Sequence, residues 1–137
     1  MGCGEWYTSF RVRAAEYGLP MALAIIGGEP ARLASFRQYY REVYQKAGRD
    51  MSELQLSINS HVYVSDSSKK VLDEFYPPCA AVMTRIGRER GWRPSSRQQF
   101  EVSAGPQGAL LVGSPQQVVD EILYEYELFG NTRFLSQ

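Results

Sequence analysis

The run Met21-Ala-Leu-Ala-Ile-Ile26, closed by Gly27 and Gly28 and followed by Pro30, constrains this chain more than any other stretch. Six apolar residues without a charge, bounded by glycines, read as a buried parallel strand. Pro30 suits the first turn of a helix. Beyond it Leu33, Phe36, Tyr40, Val43, Tyr44 and Ala47 make an apolar stripe of helical period, ended by Gly48. A strand that turns on glycines into an amphipathic helix is the repeating unit of α/β folds.

The same alternation continues. Thr8 or Ser9 can cap a short helix over 10–17, closed by Gly18, while residues 1–7 show no period and read as a loose start. Leu54 to Val64 alternates as a second strand, with Leu54, Leu56, Ile58, Val62 and Val64 on one face. Gln55, Ser57, Asn59, His61 and Tyr63 share the other face. A third helix begins near Asp66 or Ser67, and Pro77-Pro78 is expected to interrupt or kink it. Ser95 or Ser96 starts a short helical piece through Phe100. Ala109 to Val112 is a short buried strand. Ser114-Pro115-Gln116-Gln117 matches a capping box that opens a helix carrying Val118, Val119, Ile122, Leu123, Tyr126 and Phe129. Residues 132–136 read as a last strand. Four strands separated by helices imply parallel pairing through right-handed crossovers. They fit a small open sheet or half of an eight-stranded barrel, in a single domain of 137 residues.

Charge and cysteine content narrow the function classes. Fifteen Lys and Arg balance fifteen Asp and Glu, so no net positive charge marks a nucleic-acid binder. The arginines of 85–97 and the acids of 120–127 are read as solvated helix faces. Cys3 and Cys79 lack any metal or disulfide spacing and read as inert thiols of a reducing compartment. No secretory signal and no membrane-length apolar run is found, so the expected location is cytoplasmic, with neither membrane nor nucleic acid as partner. Tyr39, Tyr40 and Tyr44 at helical spacing are read as core, and Arg133 as a structural ion-pair partner.

Five segments carry a family resemblance. They are Gly18-Leu-Pro-Met-Ala-Leu-Ala-Ile-Ile-Gly-Gly28, Ser60-His-Val-Tyr-Val-Ser-Asp66, Ile86-Gly-Arg-Glu-Arg-Gly-Trp92, Gly108-Ala-Leu-Leu-Val-Gly-Ser-Pro115 and Thr132-Arg-Phe-Leu135. In this order and spacing the chain resembles the C-terminal half of luciferase-like flavin monooxygenases, from about Arg13 onward. The resemblance implies an α/β fold of parallel β/α units, about half of a (β/α)8 TIM-type barrel. It implies reduced flavin mononucleotide (FMN), or the deazaflavin F420, and dioxygen acting on a small organic substrate.

The resemblance, together with placement at strand ends and helix starts, suggests candidate residues. Gly27 and Gly28 would let backbone approach a flavin; the alternative is a tight strand-to-helix turn. His61, the sole histidine, would polarise a flavin oxygen or act as acid or base; the alternative is a hydrogen-bonded structural histidine. Asn59 shares its face. Gly113 and Ser114 open a helix where barrels often bind phosphate; the alternative is a capped helix without a ligand. Before the first helix, family members carry a serine that helps hold the flavin phosphate. Here Phe10 stands at that position and Ser9 one residue short of it. Half a barrel exposes sheet edges, so a homo-oligomer covering the open side is expected. A non-catalytic truncated remnant, serving as a flavin-binding or interaction module, is the other reading.

Overall fold

The computed structural model describes residues 3–137, with side chains from residue 9 onward. Residues 1–2 of the stretch read as loose, and the Cys3 thiol, lie outside the described residues. Nothing between Glu5 and Glu16 breaks a helix, and α1 spans Cys3–Glu16. Ser9 therefore sits inside a helix, where a capping role was expected. α1 ends with two backbone bonds, Gly18 N–H to the Ala15 carbonyl and Leu19 N–H to the Ala14 carbonyl, the paired closure of a Schellman turn.

β1 (Met21–Ile25) follows. Met21, Leu23 and Ile25 are buried while Ala22 and Ala24 are exposed. The apolar run is thus a strand with one covered face; its uncharged second face is apolar only because it is made of alanines. A 3-10 turn over Pro30–Leu33 leads into α2 (Ala34–Lys46), which buries Tyr40 and Tyr44. The Tyr40 hydroxyl donates to the Leu19 carbonyl at 2.6 Å, and burial, with Tyr44 close by, pushes its pKa up to about 12.

β2 (Leu56–Val64) is the longest strand and pairs with each of the others. α3 (Ser68–Arg90) runs through Pro77 and Pro78 without a break. Both prolines are exposed, so the carbonyls that lose an N–H partner one turn earlier can bond water instead. α4 (Arg97–Ser103) and α5 (Pro115–Phe129) each open on a complete capping box, Ser96 with Gln99 and Ser114 with Gln117. β3 (Leu110–Gly113) lies between them, and β4 (Arg133–Ser136) ends the chain.

All pairing is parallel. β1 runs beside residues 56–60 of β2, and β4 beside residues 57–60. Two strands facing the same residues must occupy opposite edges. The bond from Val62 N–H to the Gln137 carbonyl carries the β4 edge onward. β3, beside residues 61–64, therefore lies end to end with β1. A closed barrel would pair each strand with its chain neighbours; here β4 passes over β3 and takes the free edge of β2.

Two apolar clusters cover the sheet. One joins Met21, Leu23, Ile25, Leu56 and Ile58 to Tyr40, Tyr44 and Phe129 of the helices. The other joins Leu110 and Val112 to Val71 and Phe100, with Tyr63 and Phe75 packed against it. Leu110 and Val112 pair with His61 and Tyr63. The second cluster thus lies on the face opposite Leu56 and Ile58. β3 is sandwiched and all four of its residues are buried, whereas β1 is covered on one side only.

α5 departs from its expected stripe. Val119, Leu123 and Tyr126 are exposed, and Glu125 occupies a buried position between Val118 and Phe129. The acidic stretch of 120–127 is therefore not a uniformly solvated face. Arg85, Arg88, Arg90 and Arg93 are exposed as expected, while Arg97 is half-buried and bridges Asp73 and Glu101.

Candidate functional site

The uncovered half of the sheet is a surface of mixed small apolar and polar side chains. Ala22 and Ala24 of β1, Ser57 and Asn59 of β2, and Arg133 and Leu135 of β4 share this face through their register. The alanines add only methyl groups. Asn59 sits in register between Ala24 and Leu135, and its side-chain oxygen is buried with no hydrogen-bond partner. His61 follows on the same face, half-buried. Among the described residues its side chain makes no hydrogen bond. One step further along, Tyr63 stacks on Phe75 at 5.1 Å between ring centroids, and the open surface ends.

Gly27 and Gly28 lie at the exit of β1. A side chain on either would meet no atom within 4 Å, and Gly28 holds a left-handed φ of 79°. Gly28, Glu29 and Arg32 form one wall of a groove of about 530 Å³; Val102, Ser103 and the 105–108 loop form the other. The groove exists because β1 leaves the edge of β2 where β3 enters it. Gly108 permits the opposite wall, since a Cβ there would collide with the Ser103 carbonyl. Gly105 to Gly108, Gly-Pro-Gln-Gly before a strand, reads as a loop in the sequence and is one here; its part in a groove wall was not expected.

Gly113 and Ser114 stand at the other end of β3. The Ser114 N–H donates to Gln117 Oε1 at 2.9 Å, and the Gln117 N–H donates to Ser114 Oγ at 3.4 Å. The Ser68 hydroxyl also reaches Gln117 Oε1, at 2.6 Å. The donors of the first turn of α5 are largely engaged within the protein, and the Gln117 side chain fills the space over Gly113. Ser9 is exposed on α1. The structure thus gathers Asn59 and His61 on one face, puts Gly27 and Gly28 at its rim, and leaves Ser9 on a helix. Arg133 has no ion pair among the described residues; it borders a second hollow, of about 330 Å³, at the N-terminal end of the strands.

A further polar group was missed. On the helix-covered face, the Ser60 hydroxyl lies 3.1 and 3.0 Å from the two carboxyl oxygens of Glu125. Both residues are 1% exposed. Glu121, one turn earlier, has one carboxyl oxygen buried without a partner. Burial pushes the Glu125 carboxyl up to about 7 against the lowering effect of Ser60, and burial and then the Glu125 charge push Glu121 up to about 7. The signal was present: 118, 122, 125 and 129 follow one helical stripe, and Glu125 falls on it.

The Cys79 thiol is half-buried, unpaired and pushed up by burial, as befits an unreactive sulfur. No helix among the described residues is long and apolar enough to cross a membrane.

Comparison with known proteins identifies the fold. A monooxygenase, RslO1, from Streptomyces bottropensis superposes with a TM-score of 0.69 at 17% identity, over 95% of this chain and 37% of that one. The oxygenating constituent of 3,6-diketocamphane monooxygenase from Pseudomonas putida, solved in complex with FMN, gives 0.57 at 20% identity, over 92% and 37%. The coenzyme F420 dependent tetrahydromethanopterin reductase from Methanopyrus kandleri gives 0.64 at 15% identity, over 95% and 42%. The chain thus spans well under half the length of these three proteins and matches part of their barrel-type fold. No curated protein sequence matches it. The luciferase-like monooxygenase family model matches residues 11–133, and the chain belongs to that family.

Proposed function

We propose that this chain forms the C-terminal part of a flavin-dependent monooxygenase barrel and that its open sheet face receives the flavin. The observation that carries the reading is the buried, unpartnered Asn59 oxygen on a surface otherwise floored by Ala22 and Ala24. A planar heterocycle with a ring N–H suits such a place: small side chains let it lie close, and the orphan acceptor gains a donor. Gly27 and Gly28 keep the rim open to it. His61, without a hydrogen bond among the described residues, would hold or pass a proton at the ring or at a bound organic substrate.

When bound, reduced flavin supplies the electrons that activate dioxygen, and the chain's task is to bind, orient and exclude water. FMN is the proposed flavin, as in the diketocamphane enzyme, with F420 the other choice offered by the reductase. The compartment is a reducing cytoplasm. A second copy of the chain covers the open face and the unpaired edge of β1. That edge offers backbone N–H and C=O groups for pairing, and the exposed Ala22, Ala24 and Leu135 add apolar surface beside it.

Titrating the purified chain with FMN and with F420, followed by absorbance and flavin fluorescence, tests the reading. Saturable binding that weakens in Asn59→Ala is expected. No binding by the folded chain, or equal binding by the variant, would overturn it. A second reading, a non-catalytic flavin-binding or interaction module, is favoured by the engaged donors at the start of α5 and by Ser9 lying within α1. Flavin bound without substrate-dependent oxygen uptake would select it.

A further inference from the structure

We infer that Ser60, Glu121 and Glu125 form a proton-dependent latch, which fastens α5 to β2 while at least one carboxyl is protonated and loosens when both are ionised. The latch is independent of the flavin reading, since it lies on the helix-covered face of the sheet.

The geometry at Ser60 carries the argument. Its hydroxyl has one proton to donate, yet the oxygen lies within 3.1 Å of both oxygens of Glu125. A protonated Glu125 satisfies both contacts: Ser60 donates to one carboxyl oxygen, and the acid O–H donates back to Ser60. An ionised Glu125 has only the single Ser60 proton, shared between its two oxygens, to offset its charge in a site that is 1% exposed. Glu121 is one turn away on the same helix, with a buried oxygen that has no donor. Two ionised carboxylates there would share the single Ser60 donor and only part of the solvent, since one Glu121 oxygen and the whole of Glu125 are buried.

Among the described residues no cation forms an ion pair with either of them. The elements packed on α5 are β3, β2, α2 and the turn at Pro30–Leu33. β3 has no titratable side chain. In β2, His61 and Tyr63 point to the opposite face. α2 brings Arg37, Arg41, Tyr40 and Tyr44; Arg37 donates to the Leu128 carbonyl at 3.4 Å and not to a carboxylate. The turn brings Arg32, which lies 3.7 Å from Glu29. On α5 itself Asp120, Tyr124, Tyr126 and Glu127 add no positive charge. Neither Glu121 nor Glu125 has an ion pair among the described residues.

Both carboxyls are raised to about 7, so the latch works between the ordinary glutamate range and neutrality. Amide hydrogen exchange along α5 in the full chain, corrected for intrinsic rates and compared near pH 5.5 and near pH 8, tests it. The opening equilibrium of wild-type α5 is expected to rise with pH, by about tenfold per unit for each proton released. The Glu121→Gln/Glu125→Gln variant, which keeps acceptors for Ser60 but cannot ionise, is expected to show no such rise. Equal wild-type protection at both pH values, or the same rise in the variant, overturns the latch. If the variant does not fold, carbon-detected titration of the wild-type glutamates decides: two carboxyls titrating near neutrality support the latch, and all of them titrating in the ordinary range overturn it.

Discussion

Tyr40 shows how one residue ties three segments together. Its ring is buried against Tyr44 at 5.8 Å, and its hydroxyl reaches the carbonyl of Leu19 just before β1. Tyr40→Phe keeps the ring and loses the bond, and should lower unfolding stability by about 1 kcal/mol in a urea titration. Gly108 is constrained by contact. In Gly108→Ala the new Cβ meets the Ser103 carbonyl, so either the loop moves or the chain loses about 1–3 kcal/mol; thermal unfolding reads this directly. The tyrosine core was legible from helical spacing in Tyr40 and Tyr44, whereas Tyr39, read together with them, is exposed. The orphaned oxygen of Asn59 was not, because its isolation depends on Ala24 and Leu135 lying across from it. Those neighbours are set by register, and no local pattern in the chain encodes it.

At the scale of elements, caps were the most readable features. The box at Ser114 and Gln117 starts α5 where the residues place it, and Ser114→Ala should cost about 1 kcal/mol, measurable as a shift in the denaturation midpoint. Proline misled in the opposite sense. Pro77 and Pro78 signal an interruption, yet α3 passes through them because both lie on an exposed side and the packing of Val71 and Phe75 holds the helix. Replacing either by alanine should stabilise the chain by about 1 kcal/mol or more, since the helix regains a backbone bond without losing a core contact. The stripe of α5 was misread for a simpler reason. Hydrophobicity places Val119, Leu123 and Tyr126 inside and Glu125 outside, and only the docking angle of the helix decides otherwise.

For the molecule as a whole, proton linkage acts in two directions. Asp50 accepts from the Ser52 N–H and hydroxyl, which hold its carboxyl below the usual range; its contribution is lost as pH falls through that lowered value. Glu121 and Glu125 are raised, so the folded state binds more protons than the unfolded one from the ordinary glutamate range up to about pH 7. Stability there falls as pH rises. Urea midpoints measured across pH should therefore peak on the acid side of neutral. Covering of the open face is also a whole-molecule property. On the proposed covering by a second copy, the wild-type chain is expected to run as a dimer in light scattering, and Ala24→Arg, which places a charge in the centre of that face, as a monomer of unchanged helix content. The α/β class and the alternation were legible because each element announces itself locally; the strand order was not, since β4 reaches β2 only after the rest of the sheet is known.

The central position of β2 also fixes an order of events. Every other strand pairs with β2 and with no other, so none of the ladder can form before residues 56–64 are in place. β4 must then close across 76 residues, the separation of Thr132 from Leu56. Contacts of such range are slow to form. Within this sheet β1 therefore waits for β2, and Arg133–Ser136 reach the far edge of β2 through the contacts of longest range.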